Sequence, residues 1–388
     1  MSILFWTLFI ISILGIVTIL ISMTTLLSFF SKKQEHTVSS EALSLIVPIK
    51  GTDDNTKENM TTLVNSNLSS NVEYIFAMEE ENDSAFEVCS EVIALFPDID
   101  IRIVITGLSR GLMGKQHNIL GGVQEAKYDI IASMDADVTV NPNSLQEGLN
   151  TLKQPNAGIA FFLPYYKGSG ALGGNLIMSY INGFYNIIFT YLRNYAKAPA
   201  IIGALWMMPK EIFLKCAKDG RLANSVSDDR ELGFAVNELG LETIFVNKTL
   251  SMPNENLSLS EGLSHLGKWF GMIRAEGLVV YILFSLLWAP TIWALGTVIL
   301  ALTVQPEYFV YAISLLIFVV LIRNVGYMTL NKKIYQLPSL NNIGVNLLFD
   351  FFFLPFLLVR NIARTTITWK GKNYKLGKHG QILSIEKV

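Results

Sequence analysis

Residues 3–30 carry no charged side chain, and the run ends at Lys32 and Lys33. At 1.5 Å per residue a helix of this length crosses a hydrocarbon core of ~30 Å. No other stretch constrains the fold as strongly, because a chain that begins this way places its first element in a membrane. A cleaved leader needs a basic start, a shorter apolar region of about 7–15 residues and a small-residue cleavage site. None of these is present, so the run is expected to be an anchor spanning residues 1–31. Its basic pair lies on the carboxyl side, and the cytoplasmic bias of lysine and arginine places everything after Ser31 in the cytoplasm. Two cysteines, Cys89 and Cys216, fit that reducing side and offer no disulfide framework.

Of the 388 residues, 51% are hydrophobic and 16% charged. That is too apolar for an ordinary soluble protein and too charged in the middle for a pure membrane bundle. From Ala42 to about Lys248 the sequence changes character. Short apolar runs, "LSLIVPI", "VEYIFAM", "IRIVIT", "DIIASM" and "GIAFFL", have strand length and are rich in isoleucine and valine. Between them lie "DSAFEVCSEVIALF" and "GKQHNILGGVQEAK", with apolar residues near helical spacing. The alternation predicts a doubly wound α/β domain with a mostly parallel sheet, covering residues 32–276. The formal net charge of −2 is uninformative about partners, and no nucleic acid is expected among them.

Beyond Glu276 the chain is apolar again over residues 277–362, in three segments. The first is broken by Pro290, and the third holds Asp350 and Pro355. Two of the segments read as crossings. A basic tail over residues 363–388 carries Arg364, Lys370, Lys372, Lys375 and Lys378. If that tail is cytoplasmic, the last apolar segment enters and returns or lies at the interface.

Two carboxylates, Asp135 and Asp137, follow the strand "DIIASM" and precede a polar turn with Asn141 and Pro142. Ligands of open α/β sheets bind beyond the carboxyl ends of the strands. In extended chain, residues i and i+2 point to the same side. The pair can therefore offer two hard oxygen ligands to Mg²⁺ or Mn²⁺, which takes its remaining ligands from water and a diphosphate. A solvated turn is the competing reading. Asp98 and Asp100 repeat the pattern but precede their strand. Pro48, Lys50 and Gly51 end the first strand, where glycine lets backbone come close to a ligand. The loop "GLSRGLMGKQHN" brings Gly107, Gly111, Gly114, Lys115 and Asn118, with Lys115 suited to a phosphate or a nucleoside. Asp228 and Asp229 stand at a predicted helix start with Ser227 as a candidate cap, where acids also serve the helix dipole.

"VPIKG", Glu80 in "AMEEEND", "DAD", "SDDRELG" and "HLGKW", in this order and at these distances, resemble the ceramide glucosyltransferase family, glycosyltransferase family 21. The resemblance spans roughly residues 43–277 with its flanking membrane segments. It implies an inverting, membrane-bound enzyme of the GT-A fold that moves a sugar from a UDP-sugar to a lipid hydroxyl, most naturally that of ceramide. The family's three acidic positions fall on Glu80, Asp135 and Asp229, and its basic box on His265, Lys268 and Trp269. Two departures stand out: Glu80 replaces an aspartate, and His265 and Lys268 replace the usual glutamine or arginine. Lysine keeps the charge but not the bidentate fork of arginine.

On this resemblance Asp229 is the base. Asp135 and Asp137 hold the metal, and Pro48, Lys50, Gly51, Glu80, Lys115, Asn118 and Asp135 bind the donor. Asp228, His265, Lys268 and Trp269 line the diphosphate and acceptor pocket. Trp269 at a membrane junction serves equally as an interfacial anchor. The nearly uncharged, aromatic residues 172–195 read either as a buried helix or as one that dips into the bilayer beside a lipid acceptor. Diacylglycerol, a hopanoid or a polyprenyl phosphate is the alternative acceptor, and a weak sugar-nucleotide-binding membrane protein is the alternative function.

Overall fold

The computed structural model describes residues 2–32, 39–53, 55–66, 71–110, 113–140, 143–252, 256–338, 342–369 and 371–387. Lys33, Gly111, Asn141, Pro142 and Lys370 lie outside the described residues. The chain forms two compact units. One comprises residues 33–165 and 199–253, the other residues 1–32, 166–198 and 254–388.

The first unit is built on a seven-stranded sheet: β1 (Leu43–Pro48), β2 (Val72–Met78), β3 (Ile101–Ile105), β4 (Ile130–Met134), β5 (Ala157–Tyr166), β6 (Leu205–Pro209) and β7 (Glu242–Met252). Their order is β3-β2-β1-β4-β6-β5-β7. β1 pairs in parallel with β2, with Leu43 opposite Val72, and with β4, with Leu43 opposite Ile130. β2 and β3 are also parallel, whereas β6 is antiparallel to both β4 and β5. β1 is buried from Leu43 to Val47 with no polar face, as a strand covered on both sides must be. All five apolar runs read as strands in the sequence are strands here.

From β1 the chain builds outward through β2 and β3 on one side, while β4 lies on the other. The order reverses between β1 and β4, and ligands of open α/β sheets bind beyond the carboxyl ends of the strands at such a point. The helix Gly114–Glu125 packs on β1 so closely that a Cβ on Gly122 would come within 2.6 Å of the Ile46 side chain.

The second unit is helical. Ser2–Ser31, Pro306–Tyr335 and Ile343–Asn361 are each long and apolar enough to cross a membrane. A fourth candidate is the pair Leu259–Ala275 and Leu278–Trp288, bent by 120°. The segment read as one broken crossing is two helices, Leu278–Trp288 and Pro290–Thr303, the second starting with its proline. The first helix packs through Phe5 on Val298, Ala301 and Ala312.

The segment from Tyr166 to Ala198 does not follow the linear division at residue 276, since it is compact with this unit. Its helices Leu172–Tyr180 and Asn186–Asn194 are joined by a π-helical turn, Ile181–Tyr185. Ile177, Tyr180, Phe184 and Ile187 are buried, Arg323 Nη1 donates to the Gly183 carbonyl at 2.9 Å, and Asn186 Nδ2 donates to the Tyr335 hydroxyl at 3.0 Å. The stretch is buried among the apolar helices. The basic tail is not a simple extension either. It folds into an antiparallel sheet of β8 (Thr366–Trp369), β9 (Lys372–Leu376) and β10 (Ile382–Lys387), in the order β10-β9-β8.

Candidate active site

The carboxyl end of β4 is the centre of the site. Asp135 follows Met134, and its amide donates to the Ala204 carbonyl at 2.9 Å, continuing the β4–β6 pairing by one step. The Val138 amide then donates to the Asp135 carbonyl at 3.1 Å, which closes a tight turn over Ala136 and Asp137. Asn59 holds that turn by donating to the Ala136 carbonyl at 3.2 Å while accepting from the Thr139 hydroxyl at 3.0 Å. Asp135 and Asp137 are thus brought together by a turn rather than by alternation along a strand, which corrects the extended-chain expectation. Ladder pairing ends with that Asp135 bond, so the chain is free to fold back from there.

Lys115, in the first turn of Gly114–Glu125, reaches across to this turn. Its Nζ lies 2.6 Å from Asp135 Oδ1 and 3.4 Å from the Gly203 carbonyl. Burial opposes its charge, but Asp135, Asp228 and Asp229 overcome that and hold the ammonium above its ordinary range. The carboxylates feel the crowding in turn. Burial first, then the charge of Asp137 and Asp228 against the relief from Lys115, raises Asp135 to about 6. Burial and the neighbouring Asp228 raise Asp229 to about 7. Three acids around one ammonium, with Asp137 beside Asp135, are an excess of negative charge built from hard oxygen donors. Among the described residues no three such side chains gather as a ready metal cluster, so a divalent cation here would draw part of its shell from water and the ligand's own oxygens.

The helix Asp228–Glu238 separates its two acids as helical spacing requires. Asp228 is buried and accepts from Gln116 Nε2 at 2.6 Å. Asp229 is half-buried; its Oδ1 accepts from the Arg230 amide at 2.8 Å, and a Cβ on Gly203 would lie 3.3 Å from its own Cβ. Ser227 makes no side-chain capping bond.

At the end of β1, Pro48 is half-buried, Lys50 is exposed, and Gly51 turns with φ +68° while its amide donates to Asp83 Oδ1 at 2.8 Å. Asn118 is buried. It donates to the Ile49 carbonyl at 3.4 Å and accepts from the Thr106 hydroxyl at 2.6 Å, so it ties the ends of β1 and β3 together. After β2 the Glu80 side chain is exposed and its neighbour Glu79 buried, with Oε2 3.5 Å from Lys50 Nζ. Asp98 and Asp100 stand at the opposite end of the sheet, where Asp100 pairs with Lys127.

His265, Lys268 and Trp269 lie on the helix Leu259–Ala275 of the helical unit. That helix begins with a capping box between Ser258 and Glu261. Trp269 stacks on Tyr180 at 5.5 Å and meets His265 at 4.5 Å, and Lys268 Nζ sits 4.6 Å over the Trp369 ring.

Three residues of the site escaped the sequence reading. Gln116 lies in the loop "GLSRGLMGKQHN" but has no titratable group to mark it. Glu79 was overshadowed by its neighbour. Gly203 has no local signal, because only the antiparallel β4–β6 pairing carries it to Asp135.

The family described as "Glycosyl transferase family 21" matches residues 7–382. Ceramide glucosyltransferase 1 of Caenorhabditis elegans is 22% identical over 357 residues, 90% of this chain and 75% of that protein. Ceramide glucosyltransferase of Candida albicans is 28% identical over 127 residues, 29% of this chain and 23% of that one. Among solved structures, the mannosyltransferase PcManGT from Pyrobaculum calidifontis in complex with GDP-Man and Mn2+ superposes with a TM-score of 0.52 at 13% identity. It covers 89% of this chain and 99% of its own, a likeness of fold. With a family match that runs from the anchor helix to the last strand, the chain belongs to glycosyl transferase family 21 and is a membrane-held glycosyltransferase.

Proposed function

We propose that the chain is an inverting hexosyltransferase that moves glucose from UDP-glucose to the primary hydroxyl of ceramide, with its catalytic unit in the cytoplasm. The observation that carries the reading is the convergence of Asp135, Asp228 and Asp229 on Lys115 beyond the carboxyl end of β4. Asp135 and Asp137 would hold Mg²⁺ or Mn²⁺, which when bound neutralises charge on the departing diphosphate. Lys115 adds a fixed ammonium beside Asp135, and Lys50 stands at the end of β1 within reach of a donor in the crevice. Asn118 acts by holding that strand end in place.

Asp229 takes the proton of the acceptor hydroxyl as the new C–O bond forms and the bond to the diphosphate breaks. A carboxyl near 7 is well matched to that task at neutral pH. One displacement inverts the anomeric carbon, so an α-linked donor gives a β-glycoside. His265, Lys268 and Trp269 offer a cationic and aromatic surface for diphosphate or acceptor, with Lys268 keeping a charge where the family carries arginine.

The test is incubation of membranes holding the full chain with ceramide and a panel of labelled nucleotide sugars, followed by mass spectrometry of the lipids. The expected product is β-glucosylceramide from UDP-glucose, lost on chelation and in Asp135→Asn and Asp137→Asn. Product on diacylglycerol or polyprenyl phosphate with none on ceramide would replace the acceptor, and no product from any donor would leave only a sugar-nucleotide binder.

A further inference from the structure

Where the helix Leu259–Ala275 bends into Leu278–Trp288, the helical unit has a cleft of about 270 Å³ that the proposed reaction does not use. The 120° bend turns on Gly277, whose φ of +124° suits glycine. Arg274, Arg364 and Lys378 line the cleft, Gly271 and Gly377 keep its walls low, and none of the lining residues is acidic.

Ordinary structural roles account for part of this. Arg274 closes a helix, where a cation suits the dipole. Its Nε donates to the Ile362 carbonyl at 2.7 Å, and Arg364 Nε donates to the Thr366 carbonyl at 2.7 Å. Arg364 Nη1 makes a longer bond of 3.5 Å to Asn361 Oδ1, and all three acceptors are neutral oxygens that accept a proton without cancelling the charge. The nearest acid in sequence, Glu276, is engaged by His379 Nδ1 at 2.7 Å. A fourth cation crowds the group: a Cβ on Gly267 would lie 3.0 Å from Arg364 Nη1 and 3.9 Å from Arg360 Nη1. Burial and the charge of Arg360 together lower the proton affinity of Arg364.

The cleft also has a defined level. Gly277 is followed at once by Leu278, Val279 and Val280, all exposed and apolar. Arg364 comes two residues after Ile362, which with Val359 is exposed at the end of the Leu354–Asn361 helix. Exposed apolar side chains on helices of spanning character face lipid. The basic cleft therefore begins where the hydrocarbon ends, at the height of headgroup phosphates.

We propose that this cleft binds the phosphate of an anionic membrane lipid, gripped by Arg274, Arg364 and Lys378, with the acyl chains lying along the exposed faces of the Leu278–Trp288 and Leu354–Asn361 helices. The site stands independently of the sugar-transfer reading. Full-length protein in detergent, loaded with phosphatidylglycerol or diacylglycerol and examined by native mass spectrometry, tests it. Retention of one phosphatidylglycerol over diacylglycerol is expected. Lys378→Gln, on an exposed turn that leaves the fold intact, should weaken retention about fivefold, the worth of one basic residue at an anionic surface. Arg364→Gln should weaken it at least as much, with thermal unfolding as the fold control. Equal retention of diacylglycerol, or unchanged retention in Lys378→Gln, overturns the proposal. Displacement of the lipid by millimolar inorganic phosphate makes this a free-anion site and overturns the lipid assignment.

Discussion

Asp228 and Asp229 are adjacent acids of one composition and two environments. The sequence places both at a helix start, where geometry lets only one face the crevice, and family correspondence selects Asp229. The structure supplies the cause, since Gln116 engages Asp228 while Asp229 stays half-buried beside Gly203. Gln116 was not legible beforehand because its partner is far along the chain. Asp229→Asn keeps shape but cannot accept a proton, so single-turnover transfer should fall by roughly 10²–10⁴-fold with donor binding little changed. In the parent, transfer should decline as pH drops below about 7, where Asp229 becomes protonated. The stability effect has the opposite sense. The folded value lies above the ordinary 3.8, so the proton favours the folded state. The contribution is present at low pH and lost as pH rises through about 7. Asp229→Asn should therefore melt higher than the parent above that pH, in thermal scans on detergent-solubilised protein. Loss of turnover in Asp228→Asn with none in Asp229→Asn would move the base by one residue.

Strands β1 to β5 and the helix Gly114–Glu125 were legible because both faces of the sheet are covered and each strand reads as an apolar run. The tail sheet was missed although its signals are local. Ile367 alternates with polar neighbours, Gly371 turns at φ +72°, and Tyr374 and Leu376 return buried, but the density of lysines reads as solvated tail. The contact between helices Leu172–Tyr180 and Leu259–Ala275 was also out of reach, because it depends on two glycines meeting. A Cβ on Gly262 would lie 2.6 Å from the Gly173 Cα. Gly262→Val should force these backbones apart and cost about 1–3 kcal/mol, the usual toll of overpacking, seen as a lower melting temperature in detergent. An unchanged melting temperature would mean that the two helices do not touch.

Inside the helical unit Arg323 and Asp350 form a bidentate pair, Nε to Oδ2 at 3.0 Å and Nη2 to Oδ1 at 2.6 Å, with side chains only 3% and 4% exposed. Removing one partner strands the other's charge, so Arg323→Leu or Asp350→Leu alone should cost about 3–5 kcal/mol, and the double variant should recover most of it. Thermal unfolding of the three variants checks this. Sidedness has its own test. Lys375 is exposed and Cys89 and Cys216 are buried, so Lys375→Cys gives a single accessible thiol. Labelling from the outside of intact cells should fail if the tail shares the cytoplasm with the catalytic unit. By itself the sequence determined the anchor, the alternation that makes the α/β unit, the order of the acids and the family, because periodicity, composition and motif order are short-range properties of the chain. The tertiary structure alone decided that a turn joins Asp135 to Asp137, that residues 166–198 sit with the apolar helices, and that Arg323 finds Asp350. Each of these depends on segments distant in sequence, and an apolar helix that fits several partners equally well does not name the one it packs against.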